Sequence, residues 1–520
     1  MKKRILAALL CLLMVLPLLV ACQNTPDVPD DSDSDSAEAT KGPSASDDPS
    51  SSETNAPSDT SESESETKEE VPADYLGNYN FNGKTVGILY WSDYTMQEFE
   101  PTDDLSDSIN KAIYSRNTAV EQRLGIKLQY DKTPGNDSKM DNYISKVKSD
   151  FASAQVSYDM YATYSRVAPQ LAYTGYTADL AKLEPLDFSK AWWPKALVSE
   201  CTIGDQLYFC SGDISTNMLW MMIGTFFNKK LVDTYKLDAP YDLVKEGKWT
   251  IETLKTMTAN VFEELDGEEG GTDGDFYGYA IFKTNIDALG TASGYSIIKR
   301  QSDGKLALNP DYFGEKMLNT MKSIHEWFHT SDGFYYSTSA GAPRVVFREE
   351  RALFLTDRLF VAAGKDSSSS ENDKSAIPFD FGIVPNPKWT ESQDGYCTNL
   401  GHPFTMYAIS KKANDIKATA TTLELMAAES YRYVTPAVFE VAMKLRYSKD
   451  SVDSEMYDYI RNSVKIELGR VMCNCIDTYT SNAFQQAITA VSFSTRTYKM
   501  KSSTLTRKIN ELNEKFKSLS

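Results

Sequence analysis

The sequence has few basic residues and very little histidine. Its 520 residues include 54 Lys and Arg against 73 Asp and Glu, with only 3 His. A nucleic-acid-binding protein carries clustered Lys and Arg on one face, and no basic stripe runs along this chain. The scarcity of histidine and the acidic composition also disfavour a metal ion as ligand. We therefore expect no nucleic-acid partner and no cofactor.

Cysteine is sparse, and its spacing does not match the usual zinc motifs. The cysteines are Cys11, Cys22, Cys201, Cys210, Cys397, Cys473 and Cys475. Beyond residue 22 their number is odd, which leaves at least one without a partner inside the chain. Cys201 and Cys210 could form a disulfide if a hairpin brings them together. We favour the simpler interpretation, in which they are small buried thiols.

Most catalytic motifs are also missing. The sequence contains no G-x-S-x-G, no P-loop and no Cys–His pair in a suggestive context. The exception is His-Glu-Trp-Phe-His at 325–329, which matches H-E-x-x-H. On a helix this motif places two histidines one turn apart, with Glu326 as a general base for a zinc-bound water. Glu349 lies twenty residues after His329, near the spacing of a third ligand in some zinc proteases.

The surroundings of this motif favour an ordinary helix. Residues 330–343 are rich in aromatic and small residues and predict a loop, whereas a third ligand needs a stable helix to present it. Residues 344–360 predict an apolar strand–helix unit with Glu349 on its wet side. A secreted zinc metallopeptidase therefore stays as an alternative function. A glycosidase is another, because carboxylates are plentiful, although no spacing indicates a catalytic pair.

One long apolar run is present, at the N-terminus. Residues 2–4 are basic, residues 5–21 are almost wholly apolar, and the run ends in Leu-Val-Ala-Cys at 19–22. A positive start, an apolar core and a small residue before the cleavage site are typical of a secretory signal. In one interpretation this is an ordinary signal or short anchor, and Cys22 is incidental. We favour the other: the segment resembles the bacterial lipobox, which implies a signal peptide at 1–21 and an acylated Cys22.

The segment after Cys22 has the composition of a tether. Residues 23–70 contain 8 Asp and 7 Glu against 2 Lys, with almost no large apolar side chain. Such a stretch cannot bury enough apolar surface to offset its ordering entropy, and its charges repel one another. We therefore predict a disordered acidic, Ser-rich tether that, with the lipidated Cys22, spans 22–74. Several acyl chains would hold it on a membrane, at ~0.8 kcal/mol per buried methylene.

The body opens with alternating strand and helix patterns. Residues 84–90, 126–130 and 158–162 are short and apolar and predict buried strands. Residues 106–124 and 139–154 have helical spacing of apolar residues. This βαβαβ order predicts a parallel sheet with helices on its faces, and so an α/β fold.

Ligands of such sheets bind beyond the carboxyl ends of the strands. Trp91 and Tyr94 follow the first predicted strand, and Tyr164 and Arg166 follow the third. The sequence also holds 7 Trp and 30 Tyr, and sugar rings stack their flat C–H faces on aromatic rings. Each tryptophan could instead pack in the core. Trp91 is the tryptophan for which core packing is least expected, because it follows a strand end directly.

Several stretches of the body resemble the extracellular solute-binding proteins of ABC importers, family 1, which includes maltose-binding protein. The stretches that carry the resemblance are 183–193, 204–215, 240–250, 381–389 and 433–436. The likeness covers nearly all of residues 80–515 and is specific for the family rather than for a ligand.

The resemblance implies a two-lobe, periplasmic-binding-protein-like fold with the ligand cleft between the lobes and hinge closure on the ligand. We assign 75–215 and 345–403 to lobe one, and 216–344 and 404–520 to lobe two. Residues 204–215 would form a strand leading into the first crossing. Besides the four positions named above, the expected cleft residues are Asp213, Trp220, Tyr295, Asp357 and Arg358.

These features predict a non-enzymatic substrate-binding lipoprotein of an ABC importer. It would be a monomer, held on the outer face of the cell membrane through Cys22. It would capture a small-molecule solute, a carbohydrate and in particular an oligosaccharide, and deliver it to the transmembrane permease subunits. A surface receptor or adhesin without a transporter is a further alternative. The resemblance leaves the ligand open, since similar proteins take peptides, metals and polyamines.

Overall fold

A computed structural model describes residues 70–72, 75–93, 96–268, 271–364, 376–445 and 451–519. The predicted signal peptide, Cys22 and nearly all of the tether lie outside the described residues, and so does Tyr94. Among the residues that are described, no helix has the length and apolarity needed to cross a membrane.

The strands are short and mostly buried. In chain order they are β1 Lys84–Trp91, β2 Ile126–Thr133, β3 Met160–Tyr164, β4 Ile223–Asn228, β5 Phe262–Glu263, β6 Phe276–Phe282, β7 Ile298–Arg300, β8 Leu306–Leu308, β9 Phe334–Ser337, β10 Ala352–Arg358, β11 Phe381–Val384, β12 Thr398–Asn399, β13 Thr405–Ile409 and β14 Val464–Lys465.

Helices connect and cover these strands. The α-helices are α1 Ser108–Leu124, α2 Met140–Phe151, α3 Ala168–Thr174, α4 Lys195–Cys201, α5 Thr216–Trp220, α6 Lys229–Thr234, α7 Pro240–Lys245, α8 Ile251–Thr258, α9 Ile286–Thr291, α10 Glu315–Thr330, α11 Gly341–Arg348, α12 Phe360–Ala363, α13 Ile416–Glu429, α14 Ser451–Asn462, α15 Leu468–Val471, α16 Tyr479–Thr489, α17 Thr495–Lys499 and α18 Ser502–Lys517. Shorter 3₁₀ turns are Leu180–Lys182, Lys283–Asn285 and Pro310–Phe313, and π-helical turns are Ser430–Val434 and Pro436–Leu445.

The predicted βαβαβ unit is confirmed and forms the first sheet. Its strand order is β13-β3-β1-β2, with β1 parallel to both β2 and β3. The Asp107 side chain caps α1 by accepting from the Asn110 N–H, and Gly125 ends the helix at φ 58°. A left-handed residue suits this helix end because glycine lacks the Cβ that would clash there. The third strand starts at Met160, two residues later than predicted, so Tyr164 is its last residue.

The second sheet has the order β11-β4-β10-β6-β5, and β9 also pairs with β6. Strands β10, β6 and β9 run parallel, whereas β4 is antiparallel to β10 and β11. Every residue of β4 is buried, and so are the first six residues of β10. These continuous apolar runs are typical of strands covered on both faces.

The strand pairing corrects the predicted lobe boundaries. Strands β10 and β11 fall in 345–403, which we assigned to lobe one, but both pair with β4 in the second sheet. Strand β13 falls in 404–520, assigned to lobe two, but it pairs with β3 in the first sheet. The cause is that apolar strands look alike in sequence, so the partner is decided by which surfaces pack in three dimensions.

Residues 204–215 do not form the predicted strand. Ile203 pairs with Gln206 across a tight turn at Gly204, where φ is +64°. Cys210 forms an antiparallel bridge with Tyr407 in β13, and Ser211 donates its hydroxyl to the Thr405 carbonyl of the same strand at 2.6 Å. Cys201 and Cys210 are free, buried thiols, which agrees with the preferred interpretation of these cysteines.

Among the described residues, the elements of the two sheets are joined at three places along the chain. The first crossing runs from Cys210 to β4, and the second returns from β11 to β13. These two segments lie side by side, because Met222 pairs with Leu400 and the Gly401 N–H donates to the Met221 carbonyl at 2.9 Å. Helix α13 packs on α1 and the first sheet, whereas α14 packs on β11. The third crossing therefore lies between α13 and α14.

Candidate ligand cleft between the two sheets

The ends of β3 and β10 meet at the paired crossings. Ser165, just after β3, donates its hydroxyl to the His402 carbonyl at 2.6 Å. Arg358, the last residue of β10, lies so close to Gly401 that a Cβ there would be 2.9 Å from its Nε. Glycine at 401 therefore permits the second sheet to approach the hinge segment. Carboxyl ends from both sheets are brought together here, which is where α/β proteins place their ligands.

A buried hydrogen-bond chain fixes the crossings to the first sheet. The Trp91 indole N–H donates to Thr405 Oγ1 at 2.8 Å, and the Thr405 hydroxyl donates to Glu98. Glu98 also accepts from Ser215 Oγ at 2.9 Å and from the Asn217 N–H at 2.8 Å. Burial raises the pKa of Glu98, and these donors oppose the rise. One carboxyl group thus holds the start of the first crossing against the end of the second.

Trp91 and Tyr164 form an aromatic floor beneath this site. Their ring centroids are 5.4 Å apart in an edge-to-face arrangement, and they are 0% and 3% exposed. Burial raises the pKa of Tyr164, while the charges of Arg166 and Arg358 lower it. Trp91 is therefore packed in the core of this structure, which is the alternative interpretation considered for each tryptophan.

Arg166 joins the first sheet to the C-terminal segment. Its Nε donates to Asn474 Oδ1 at 2.8 Å, and its Nη1 forms an ion pair with the exposed Asp137. Asn474 lies in the turn after α15, which is connected to the second sheet through α9. Arg166 thereby spans the space between the two halves of the molecule.

His402 occupies the centre of the site. Arg470 Nη2 lies 3.4 Å from its Nε2. Burial lowers the pKa of His402 well below its ordinary range, and the positive charges of Arg470, Arg166 and Arg358 lower it further. The imidazole is therefore neutral at physiological pH, with one nitrogen able to donate and the other to accept.

Arg470 is paired with Asp287, a buried aspartate whose ionised form is disfavoured by burial. Arg470 Nη1 lies 3.3 Å from Asp287 Oδ2, and the Gln485 N–H donates to Asp287 Oδ1 at 3.3 Å. Burial raises the pKa of Asp287 to about 6, although the Arg470 charge lowers it in part. This carboxylate is less well compensated than the buried Asp357, whose pKa is lowered.

Tyr295 stands between two cavities beside this cluster. The smaller, of about 30 Å³, is also lined by Asp287 and Arg470. The larger, of about 290 Å³, is lined by Glu200 and Arg300 together with Tyr295. The half-buried Tyr295 therefore lines both cavities, and its contact with a ligand stays a prediction.

The remaining expected cleft residues are packed. Asp357 forms a buried ion pair with Arg344 within the second sheet, where both side chains are 0% exposed. Asp213 is buried, and its N–H donates to the Trp192 carbonyl at 3.1 Å. Trp220 is 2% exposed, and within the described residues its indole N–H has no hydrogen-bond partner.

Three residues of the site escaped the sequence analysis: His402, Arg470 and Asn474. They lie in the second crossing and around α15, far in sequence from β3 and β10. No local pattern marks them, because only the folded crossings bring them beside Arg166. The sequence therefore held no signal for this half of the cluster.

The H-E-x-x-H segment does not form a metal site in this structure. His325 and His329 lie on α10 with ring centroids 4.3 Å apart. Each Nε2 lies at hydrogen-bond distance from a backbone carbonyl, that of Ala490 at 2.9 Å and that of Ile488 at 3.1 Å. Within the described ranges, no group of three or more His, Cys, Asp or Glu residues is arranged to hold a metal ion. The segment predicted as a loop, 330–343, contains β9 and the start of α11.

Known proteins resemble this chain in structure rather than in sequence. No protein-family model and no curated protein matches it. The galacto-N-biose-/lacto-N-biose I-binding protein of the ABC transporter from Bifidobacterium longum, in complex with lacto-N-biose, is similar at a TM-score of 0.54 and 11% identity, over 83% of this chain and 98% of that one.

Two further solved structures are similar to the chain. The maltose-binding periplasmic protein from Listeria monocytogenes, in complex with maltose, has a TM-score of 0.52 and 12% identity, covering 82% of this chain and 98% of that one. The cyclic α-maltosyl-1,6-maltose binding protein from Arthrobacter globiformis has a TM-score of 0.50 and 14% identity, covering 84% and 99%. The chain therefore has the two-lobe, periplasmic-binding-protein-like α/β fold of these binding proteins.

Proposed function

We propose that this protein captures a carbohydrate in the cleft between its two sheets and delivers it to the permease of an ABC importer. One observation carries the proposal: polar side chains from β3, from β10 and from the α15 region converge on His402 in the second crossing. Ligand sites of this kind are concave, with a few polar groups placed around an apolar or aromatic floor. Trp91 and Tyr164 pack beneath these polar groups and hold them in place.

The paired crossings provide the hinge. Segments that cross side by side between two lobes can absorb a rotation in a few backbone dihedrals, as in other hinge proteins. Glu98 holds both crossings to the first sheet, so rotation would be confined to residues nearer β4 and β11. A sugar bound between Arg166 and Arg358 would contact both lobes and favour the closed state.

The protein would act by binding rather than by catalysis. Guanidinium, amide and imidazole groups donate and accept hydrogen bonds that orient hydroxyls, and similar binding proteins hold their sugars in such a fold. Both histidines of the H-E-x-x-H segment are engaged with backbone carbonyls, which leaves the zinc peptidase without support. Within the part of the chain that the structure describes, the acids Asp137 and Asp287 beside this cleft are each paired with an arginine, which leaves the glycosidase without support as well.

The N-terminal sequence supports a lipid anchor at Cys22 and a position on the outer face of the membrane. The acidic segment to residue 74 would then act as a flexible tether, with the folded part a monomer beside its permease. Mass spectrometry of the membrane fraction tests this directly, because an acylated Cys22 adds the mass of its lipid. Release of Cys22→Ala into the medium is the expected result, and unchanged retention would contradict the anchor.

A thermal-melt screen of the full chain against neutral and acidic saccharides tests the binding function. A ligand at about a hundred times its dissociation constant should stabilise the fold by ~2.7 kcal/mol, which shifts the melt by a few degrees. We expect His402→Ala to lose this shift and His329→Ala, on α10, to keep it. No shift with any saccharide, together with a lower melting temperature in EDTA, would favour the metallopeptidase instead.

A further inference from the structure

The larger cavity beside Tyr295 has walls from both sides of the first crossing. Its volume is about 290 Å³. Glu200, near the end of α4, comes from the chain before the crossing, whereas Tyr295, strands β7 and β8 and Leu468 at the start of α15 come from the chain after it. Small-molecule sites occupy ~300–1,000 Å³ and often lie where two parts of a fold meet. The cavity therefore has the size and the position of a site for one or two sugar rings.

Hydrogen bonds within the chain hold the walls of this cavity. Arg300 Nη2 donates to the carbonyls of Ser199 and Glu200 at 2.8 and 3.1 Å, which fastens β7 to the end of α4. Glu467 caps α15, and its carboxyl group also accepts from the Ile298 N–H at 3.2 Å, which fastens β7 to α15. A site whose walls are already in place loses less conformational entropy when it binds a ligand.

Glu200 brings an incompletely compensated carboxyl group to the cavity. Burial raises its pKa, while the charges of Arg300 and Lys465 and a hydrogen bond from the Leu468 N–H oppose the rise. Within the described residues, Glu200 forms no ion pair. An ionised carboxyl group offers about four acceptor positions, so its oxygens can accept further hydrogen bonds from a bound molecule. A carboxyl group of this kind that lines a cavity is a candidate binding group.

Two further polar groups line the cavity. Lys299 is exposed and Tyr295 is half-buried, and in the described part of the chain neither the Lys299 ammonium nor the Tyr295 hydroxyl has a polar partner. The neighbouring cations are engaged, because Lys465 donates to the Gly294 carbonyl and Arg300 holds α4. A carboxylate, an ammonium and a phenol therefore stand ready to bind a ligand, and the charges of the first two balance.

These groups match a neutral sugar residue. Its hydroxyls can donate to Glu200 and accept from Lys299, and a hydrogen bond to a charged group is roughly twice as strong as a neutral one. The Tyr295 ring offers an apolar face to the C–H face of a sugar, and its hydroxyl adds a third polar contact. An anionic ligand would be repelled by Glu200 and a cationic one by Lys299, so the lining disfavours both.

Two residues connect this cavity to the proposed cleft. Arg470 Nη2 lies 3.4 Å from His402 Nε2, and Arg470 lines the smaller cavity together with Tyr295. Tyr295 in turn lines the larger cavity. A chain of sugar residues that begins beside His402 and follows these contacts would therefore end at Glu200.

We propose that the cavity at Glu200 is a second subsite for the ligand, in which Glu200, Lys299 and Tyr295 bind a neutral sugar residue. This inference rests on the proposed binding function and deepens it, because the captured carbohydrate becomes an oligosaccharide with one residue beside His402 and another in the cavity. Since the walls come from both sides of the first crossing, a sugar residue bound here adds contacts that favour the closed arrangement of the lobes.

Titration calorimetry of the full chain against saccharides of increasing length tests the second subsite. The probes are two neutral series: glucose, maltose, maltotriose and maltotetraose, and galactose, lacto-N-biose and lacto-N-tetraose. In a series that binds, we expect the affinity to rise ten-fold or more at the length that reaches the cavity. The gain should change little with salt, because the added sugar residue is neutral.

Substitutions locate the gain. Glu200→Gln keeps the shape of the side chain and removes its charge, so it should lower the affinity for the longer saccharide to about that of the shorter one and leave the shorter one unchanged. Tyr295→Phe removes the hydroxyl alone and should remove part of the gain. Glu264→Gln, at an exposed position just after β5, is the matched control and should change nothing. Circular dichroism establishes that each variant is folded, and Lys299→Met repeats the test if Glu200→Gln is unfolded.

The outcomes separate this inference from the function beneath it. Equal affinity for all lengths in a series that binds, or a gain with length that survives Glu200→Gln, would overturn the second subsite and leave carbohydrate capture standing. Loss of affinity for short and long saccharides alike in Glu200→Gln would make Glu200 part of a single site, which also overturns the second subsite. Failure of every saccharide, in the calorimetry and in the melt screen, would overturn both proposals.

Discussion

Two arginine–aspartate pairs in this protein consist of the same residue types, but the pKa of the aspartate is lowered in one pair and raised in the other. Arg344 and Asp357 form a pair in the second sheet with both side chains fully buried, and Asp357 also accepts from Asn285 Nδ2 at 2.9 Å and from the Arg358 N–H at 2.7 Å. Burial is the largest single influence and opposes its ionisation, but the charges of Arg344 and Arg358 and the hydrogen bonds they donate together outweigh it and hold the pKa of Asp357 below its ordinary value.

The second pair, Arg470 and Asp287, is looser. Its closest contact is 3.3 Å, its one further donor is the Gln485 N–H at 3.3 Å, and burial raises the pKa of Asp287 to about 6. The comparison shows that depth of burial alone does not decide the pKa; the number and distance of the donors do. The matched pair is part of the framework, whereas the loose pair lies beside the proposed cleft.

Breaking the matched pair should have the largest effect. Arg344→Met leaves Asp357 buried without its cation, which costs ~3–5 kcal/mol of unfolding free energy. Asp357 has a depressed pKa, so its contribution is present above its ordinary value of 3.8 and is lost as pH falls. Urea unfolding should therefore show a smaller penalty at acid pH, where the carboxyl of the variant takes up a proton. An equal penalty at every pH would contradict the charge argument.

Removing the charge of Asp287 from the loose pair should change stability with pH in the direction opposite to that of the matched pair. The pKa of Asp287 in the folded protein, about 6, lies above its ordinary 3.8. The folded state therefore binds this proton more tightly than the unfolded chain, and stability falls as pH rises through that range by ~3 kcal/mol. The difference between Asp287→Asn and the parent should change by about this amount. Denaturant curves at several pH values measure it, and parallel pH profiles would refute the assignment.

Removing the cation of the loose pair should cost less stability than removing that of the matched pair. Arg470 is 15% exposed at its side chain, and it contacts Asp287 at 3.3 Å and donates to the Ser481 carbonyl at 2.9 Å. Arg470→Gln should lower the unfolding free energy by ~1–2 kcal/mol, and it should weaken binding of a saccharide in the proposed cleft. A stability loss as large as that of Arg344→Met would mean that the two pairs have the same structural role.

The smallest effect should come from the exposed partner of the cluster. Asp137 is 65% exposed at its side chain, and surface ion pairs contribute up to about 1 kcal/mol. Asp137→Asn should leave the melting temperature nearly unchanged while it raises the net positive charge beside Arg166. Thermal unfolding of Asp137→Asn and the parent measures this, and a stability loss as large as that of Arg470→Gln would contradict the electrostatic account.

The sequence predicted local structure well and long-range pairing poorly. The cap at Asp107, the end of α1 at Gly125 and the βαβαβ unit follow from periodicity and turn chemistry within about thirty residues. The partners of β10 and β13 did not follow, because antiparallel β4 and β13 enter sheets whose other principal strands are parallel. The local pattern of an apolar strand does not determine which sheet the strand joins.

The candidate site was predicted in part for the same reason. Tyr164, Arg166 and Arg358 follow from the rule that ligands bind at the carboxyl ends of strands, and the structure brings them together. His402, Arg470 and Asn474 come from the crossing and the C-terminal segment, whose approach depends on the packing of whole lobes. Asp357 was expected in the cleft but is held in the framework by Arg344, a partner thirteen residues earlier on α11.

Hydrogen–deuterium exchange of the full chain, with and without the saccharide that gives the largest melt shift, tests the position of the cleft most directly. Ligand bound beside His402 should protect backbone amides at 160–166, 398–404 and 468–475 together, because one molecule would contact both sheets and the crossing. Protection confined to 294–309, around the cavity beside Tyr295, or no protection at all, would contradict a cleft at the carboxyl ends of the strands.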